Sequence, residues 1–157
     1  MITLLPVDGT SELAEHYAYP DDLTAPWVRV NFVASADGAA SVDGTSGGLG
    51  SDADKQVFGV LRELAEVVLV GAGTVRAEDY RGARRNTAGR DTPPPIAIVT
   101  GSADLDPGSK LLIDTRVPPI VLTLGSAPAD RRGRLTAAGA DVVVLDDLEP
   151  ATLLAEL

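Results

Sequence analysis

The chain has 157 residues, enough for one domain with a sizeable core. Its 13 Lys and Arg against 23 Asp and Glu leave a net charge of −10, which repels phosphodiester backbones and anionic lipid, so neither nucleic acid nor a membrane surface is an expected partner. Cysteine is absent and His16 is the only histidine, which excludes disulfides, thiolate nucleophiles and a zinc site built on two or three histidines; a Ser-His-Asp triad would have to use that one residue. No apolar run approaches the ~18 residues of a membrane span, and no basic leader opens the chain. A cytoplasmic location is the expectation.

Residues 1–26 read as a polar, acidic lead-in ending in Pro20 and Pro26, and residues 27–157 as the domain proper. The run WVRVNFV (27–33) alternates apolar residues around Arg29 and Asn31 and predicts the first strand, closed by an Asp37-Gly38 turn. The stretch SVDGTSGGLG, ending at Gly50, predicts an ordered loop or a short hairpin. Ser51 has the form of an N-cap, with Asp52 and Asp54 in the first turn and Val57, Leu61 and Leu64 at helical spacing, so a helix is predicted over 51–65. Continuous β-branched runs follow at 67–70, 95–99, 120–124 and 142–145, and the first of them, VVLV, has the composition of a strand buried on both faces.

Only residues 81–95 have the composition of a flexible segment. Residues 128–138 predict a helix, with Pro128 near its first turn and Gly139 just past its end. Residues 150–157 begin another, whose Leu153, Leu154 and Leu157 have nothing after them to pack against, so the chain is expected to be a piece of a longer polypeptide. Strands alternating with helices give an α/β fold with a mostly parallel central sheet flanked by helices, because parallel neighbours need crossover connections.

Three features could carry chemistry. In VVLVGAGTV a strand delivers Gly71-Ala72-Gly73, a turn that brings bare backbone N–H groups close to a ligand's phosphates. Arg76 stands where the dinucleotide fingerprint would have its third glycine, so the segment reads equally as a tight strand-to-helix corner. Between residues 71 and 91 five arginines (Arg76, Arg81, Arg84, Arg85, Arg90) stand against three carboxylates, a local +2 that suits an anionic ligand or, taken singly, solvated loop residues. Ser35 and Asp37 lie at the end of the first predicted strand, either a ligand-binding edge or a turn and its capping hydroxyl. His16 reads as a surface residue, and Asp146, Asp147 and Glu149 as an acidic cluster ahead of a helix.

In order, VNFVASADG, SGGLGSDADKQVFGVLRELA, VVLVGAGTVRAEDYRG and PPIAIVTGS resemble the reductase domain of riboflavin biosynthesis, from about Trp27 to Leu157. The resemblance implies a dihydrofolate-reductase-like fold and NADPH-dependent reduction of 5-amino-6-(5-phosphoribosylamino)uracil, a phosphorylated ribosylamino-pyrimidine, by hydride transfer to the ribosyl C1′. It implies that Val33 and Ala34 line the nicotinamide through their backbone, that Gly71, Gly73, Thr74, Val75 and Glu78 hold the cofactor, and that Ser102 meets its adenosine end. On the substrate side it implies Ser46, Arg62 and Arg85.

Asp37, beside the inferred nicotinamide site, is the local candidate for proton transfer, and no metal is implied. Asn31 replaces a frequent lysine, Asp79-Tyr80 replaces Asp-Pro, and the family's later Glu-Gly-Gly segment does not occur by residue 157, so a C-terminally incomplete site is expected. A homodimer is the expected assembly. The rival readings are reduction of dihydrofolate or another pteridine on the same fold, and a nucleotide-binding module without catalysis.

Overall fold

The computed structural model describes residues 10–157, so residues 1–9 of the expected lead-in lie outside the described residues. The chain divides into two compact units, residues 1–64 and 65–157. In the first unit, α1 (Thr10–His16) packs against α2 (Asp52–Leu64). The lead-in thus contains a helix that sequence periodicity does not show, since seven residues are too few to display an apolar stripe; Leu13 is its buried anchor. His16 is exposed at the end of α1. Helix α2 starts as its sequence directs: the Ser51 hydroxyl accepts the Asp54 N–H at 3.2 Å.

The strand predicted over 27–33 is a correction. No ladder forms along the segment among the described residues. Nor does exposure follow the alternation, since Asn31 is exposed together with its apolar neighbours. Arg29 lies at 4.6 Å over the Tyr19 ring and donates to the Tyr17 carbonyl at 2.6 Å, while Val28, Val30 and Phe32 face outward at 58%, 80% and 73% exposure. Two aromatic rings and a carbonyl hold the guanidinium on the inner side. Period-two patterning encodes local extension, and the partner strand that would bury it is a non-local matter. The loop before α2 does hold a minimal hairpin: Val42 and Thr45 bridge across Asp43-Gly44, both at positive φ (51° and 81°), as a type I′ turn requires.

The second unit is a four-stranded sheet in the order β1 (Val68–Gly71), β2 (Ile96–Thr100), β3 (Ile120–Leu124), β4 (Asp141–Leu145), parallel throughout. Each crossover carries a helix: α3 (Ala72–Ala77), α4 (Lys110–Ile113) and α5 (Ala129–Ala137). Val75, Leu111 and Leu135 from these helices pack with Ile96, Ile98 and Val121 on one sheet face, as right-handed crossovers that all step the same way demand. After β4, α6 (Pro150–Ala155) packs on the opposite face, where Leu153 closes over Leu122 and Leu145. Leu153 therefore has a packing partner in the sheet itself. Gly139, at φ +95°, ends α5 in the left-handed conformation, with its N–H bonded to the Thr136 carbonyl at 3.0 Å.

The α/β reading with a parallel sheet flanked by helices holds, with one displacement. VVLV predicts a doubly buried strand, yet β1 is an edge and Leu69 is 43% exposed. The fully buried residues lie in β2 and β3, at Ala97, Ile98, Val121, Leu122 and Thr123. Strand composition reports a parallel sheet and carries no position within it.

Ahead of α6, the Asp147 carboxylate accepts the Thr152 hydroxyl and the Glu149 N–H, contacts that hold its pKa below the ordinary carboxylate value. This local bonding is complete above that ordinary value and is lost as pH falls through the depressed one.

At the centre of the sheet Thr123 is 0% exposed and its hydroxyl has no hydrogen-bond partner among the described residues. A buried hydroxyl left unbonded costs about 1–3 kcal/mol. Thr123→Val should therefore stabilise the protein by about 1 kcal/mol, read as a higher midpoint in thermal or urea unfolding; a lower midpoint would show that the hydroxyl is bonded.

Candidate functional site

Parallel strands place all four carboxyl ends on one edge of the sheet, and three of them meet glycine: Gly71 as the last residue of β1, Gly101-Ser102 after β2 and Gly125-Ser126 after β3. This edge is where open α/β sheets take ligands. At its β1 end the chain turns straight into α3. Gly71 is the N-cap, at φ −78° and ψ 146°, with no side-chain capping bond. Gly73 lies in the first turn of α3 and is not at positive φ.

A Cβ added at Gly71 or Gly73 would meet nothing within 4 Å. The corner therefore does not need glycine for its own conformation. What glycine leaves is open space beside uncapped backbone N–H groups, and that fits a phosphate-bearing ligand. Thr74 is exposed beside Gly73, whereas the side chain of Val75 is in the core at 4% exposure, so any part it takes in binding is through its backbone. Glu78 closes α3, its N–H bonded to the Thr74 carbonyl at 2.9 Å. Ser102 is exposed at the end of β2.

In the first unit, Ser35 and Asp37 sit in a turn closed by the Gly38 N–H on the Ser35 carbonyl at 2.9 Å. The segment before them joins no sheet, so the expectation that they end a sheet strand is corrected. The Ser35 hydroxyl donates to the Asp37 carboxylate, and with the N–H groups of Ala39 and of Asp37 itself it holds that carboxyl below its ordinary value. Asp37 is thus an anion at neutral pH. Val33 and Ala34 lead into this turn, and Ser46 lies in the glycine-rich loop, where its carbonyl accepts the Leu49 N–H at 3.0 Å. Arg62, in the last turn of α2, holds its guanidinium 5.2 Å from the Phe58 ring centroid.

The segment 81–95, expected to be flexible, is tied down in the second unit. Arg84 pairs with Asp114 at 2.5 Å, Arg90 pairs with Glu66, Arg116 donates to the Asn86 side chain at 2.9 Å, and the Thr87 hydroxyl donates to the Ala65 carbonyl at 3.0 Å. Two of the five arginines in the basic cluster are therefore closed by carboxylates, and Arg81 and Arg85 are exposed. Composition reads this segment as loose because its fasteners come from elsewhere in the chain.

An open parallel sheet with helices in its crossovers defines a domain of the α/β class. The sequence matches the family described as the RibD C-terminal domain over residues 26–157, and the chain belongs to that family. Riboflavin biosynthesis protein RibD of Mycobacterium tuberculosis, in strains CDC 1551 / Oshkosh and H37Rv alike, is 34% identical over 91 residues, which cover 57% of this chain and 27% of that protein. The chain thus spans about a quarter of the length of these curated relatives. A pyrimidine reductase-like protein from Corynebacterium diphtheriae superposes with a TM-score of 0.66 at 24% identity, over 80% of this chain and 57% of that one, a likeness of fold.

Gly82 is the fastener of the 81–95 segment that sequence alone does not mark. A Cβ there would lie 2.7 Å from Thr115 Cβ and 2.8 Å from Thr115 Cα, a clash that includes backbone. Gly82→Ala should cost about 1–3 kcal/mol, seen in urea unfolding, and speed proteolysis within 81–95. An unchanged midpoint would show that the 115 region yields freely.

Proposed function

We propose that this chain is an NADPH-dependent reductase of 5-amino-6-(5-phosphoribosylamino)uracil, working by hydride transfer to C1′ of the opened ribosylamino group and yielding a ribitylamino product. The observation that carries the reading is family membership across residues 26–157, joined to a β1–α3 corner whose glycines leave room for a ligand. When bound, the dihydronicotinamide supplies the hydride. The protein's own residues bind and orient.

Gly71, Gly73 and Thr74, with the Val75 backbone, hold cofactor phosphate at the start of α3; Glu78 and Ser102 contact the nucleotide; Val33 and Ala34 offer backbone to the nicotinamide. Ser46, Arg62 and Arg85 take the phosphorylated substrate. Asp37, ionised at neutral pH, accepts hydrogen bonds from substrate and is not the resting-state proton donor. A phosphorylated sugar needs cationic partners, which Arg62 and Arg85 would supply.

The test is NADPH oxidation with the purified protein. Consumption that depends on the ribosylamino-pyrimidine phosphate and not on dihydrofolate is expected; stoichiometric NADPH binding with no turnover on either would mark a binding module. Gly73→Val should weaken NADPH binding at least tenfold with an unchanged far-ultraviolet circular dichroism spectrum, because a Cβ there meets no part of the protein and the branched side chain would stand in the ligand's space. Retained affinity would make the corner purely structural. Arg62→Ala should lower kcat/KM by one to two orders of magnitude, about 1.5–3 kcal/mol, and leave NADPH affinity in place. An unchanged kcat/KM would remove Arg62 from the substrate site.

A further inference from the structure

Three Asp-Gly steps occur in the sequence, at Asp8-Gly9, Asp37-Gly38 and Asp43-Gly44, and the first lies outside the described residues. Such a step can rearrange without any enzyme. The glycine nitrogen attacks the side-chain carboxyl carbon of the aspartate, a five-membered succinimide closes, and one water leaves. Water then reopens the ring, and opening at the former main-chain carbonyl leaves an isoaspartate whose chain runs through its β-carbon. One water is lost and one regained, with no change of oxidation state. Glycine favours the attack because no Cβ obstructs the approach of its nitrogen.

The two described steps differ in what their reacting atoms already do. At Asp37-Gly38 the nucleophile is engaged, since the Gly38 N–H donates to the Ser35 carbonyl at 2.9 Å. The electrophile is engaged as well. The Asp37 carboxylate accepts the Ser35 hydroxyl, and that bond with the N–H groups of Ala39 and Asp37 holds it ionised. An ionised carboxylate gives up oxygen poorly, and this one would have to leave its donors to meet the glycine nitrogen.

At Asp43-Gly44 neither atom is held. The turn is closed by the Val42 N–H on the Thr45 carbonyl at 2.8 Å and the Thr45 N–H on the Val42 carbonyl at 3.1 Å. Both bonds pass over the two central residues. The Gly44 N–H and the Asp43 carboxylate take part in no hydrogen bond or ion pair among the described residues. Asp43 is exposed, and a Cβ placed at Gly44 would meet nothing within 4 Å, which leaves room for the ring. Asp43 also sits at φ +51°, a left-handed conformation unfavourable for an L-residue, and opening of the turn relieves it.

We infer that Asp43 is a site of spontaneous backbone modification, passing through a succinimide to isoaspartate, and that Asp37 is protected from the same reaction by its hydrogen bonds. Nothing in this chemistry depends on a cofactor or a substrate. The product has one more backbone methylene between Val42 and Gly44, so the Val42–Thr45 bridge loses its register. It also carries a free α-carboxylate, the group that an S-adenosylmethionine-dependent isoaspartate carboxyl methyltransferase takes as methyl acceptor.

Ageing the purified protein at physiological temperature and neutral pH tests this. Peptide mapping with electron-transfer fragmentation separates the two linkages at equal mass, and enzymatic methylation with labelled S-adenosylmethionine counts the isoaspartate. Isoaspartate should accumulate at Asp43 about tenfold or more faster than at Asp37, as expected where one step is free and the other must open locally first. A transient species one water lighter should appear on the Asp43 peptide. Asp43→Glu should leave no isomer at that position, because glutamate would have to close a six-membered ring. Ser35→Ala should speed the reaction at Asp37 severalfold and leave the rate at Asp43 as it was. In urea both steps are free, and their rates should converge. Equal rates at Asp37 and Asp43 in the folded protein, or a folded rate at Asp43 far below its rate in urea, would overturn the inference.

Discussion

Parallel strands cannot be joined by a hairpin, and most of the second unit follows from that constraint. Each of β1, β2 and β3 must return through a helix to start its neighbour, so every carboxyl end falls on one edge and every crossover begins there. The edge then has two properties at once. It is where the starts of α3 and α5 lack side-chain caps, and it is where strands run into glycine or serine, as at Gly71, Gly101-Ser102 and Gly125-Ser126. The connections that the sheet requires therefore gather backbone donors along one edge.

Charge is distributed with the same economy. In a chain of net charge −10 several cations are drawn into ion pairs that hold connections in place: Arg84 to Asp114, Arg90 to Glu66, Lys110 to Asp79. These pairs are exposed and each contributes little to stability. Their effect is to fix the path of the long β1–β2 connection, with Gly82 seated against Thr115. Against that background a cation bonded to a carbonyl differs in kind from one bonded to a carboxylate. The carbonyl orients the guanidinium without neutralising it.

Sequence made the strands, the order of the crossovers and the family legible, because parallel sheets write their interior strands as continuous β-branched runs and because Pro128, Gly139 and Ser51 mark helix ends by local chemistry. It misled wherever the outcome depended on a distant partner. WVRVNFV has a strand's alternation, yet the rings of Tyr17 and Tyr19 capture Arg29 and turn the apolar side outward. Residues 81–95 have a linker's composition, yet their fasteners are Glu66, Asp114 and Thr115. The basic cluster at 76–90 is contiguous in sequence and dispersed in space, while Arg76 and Arg131 are distant in sequence and converge on one loop. No local window contains that pair. The available signal is topological: α3 and α5 flank the crossover that leaves β2.

The two glycine-lined features of the site differ in what they demand of the backbone, and the difference separates structure from function. Gly82 is glycine because the protein's own atoms leave no room for more. Gly73 has room, has an ordinary helical φ, and would gain helical stability from a side chain, since glycine in a helix interior is roughly 0.5–1 kcal/mol worse than alanine. A residue that forgoes available stability where nothing in the fold forbids it points outside the fold for its reason. Asp37 follows the same logic with charge. Its carboxylate gathers a hydroxyl and two N–H groups in an exposed turn, which keeps it ionised through the neutral range and moves it away from the pKa a general acid needs.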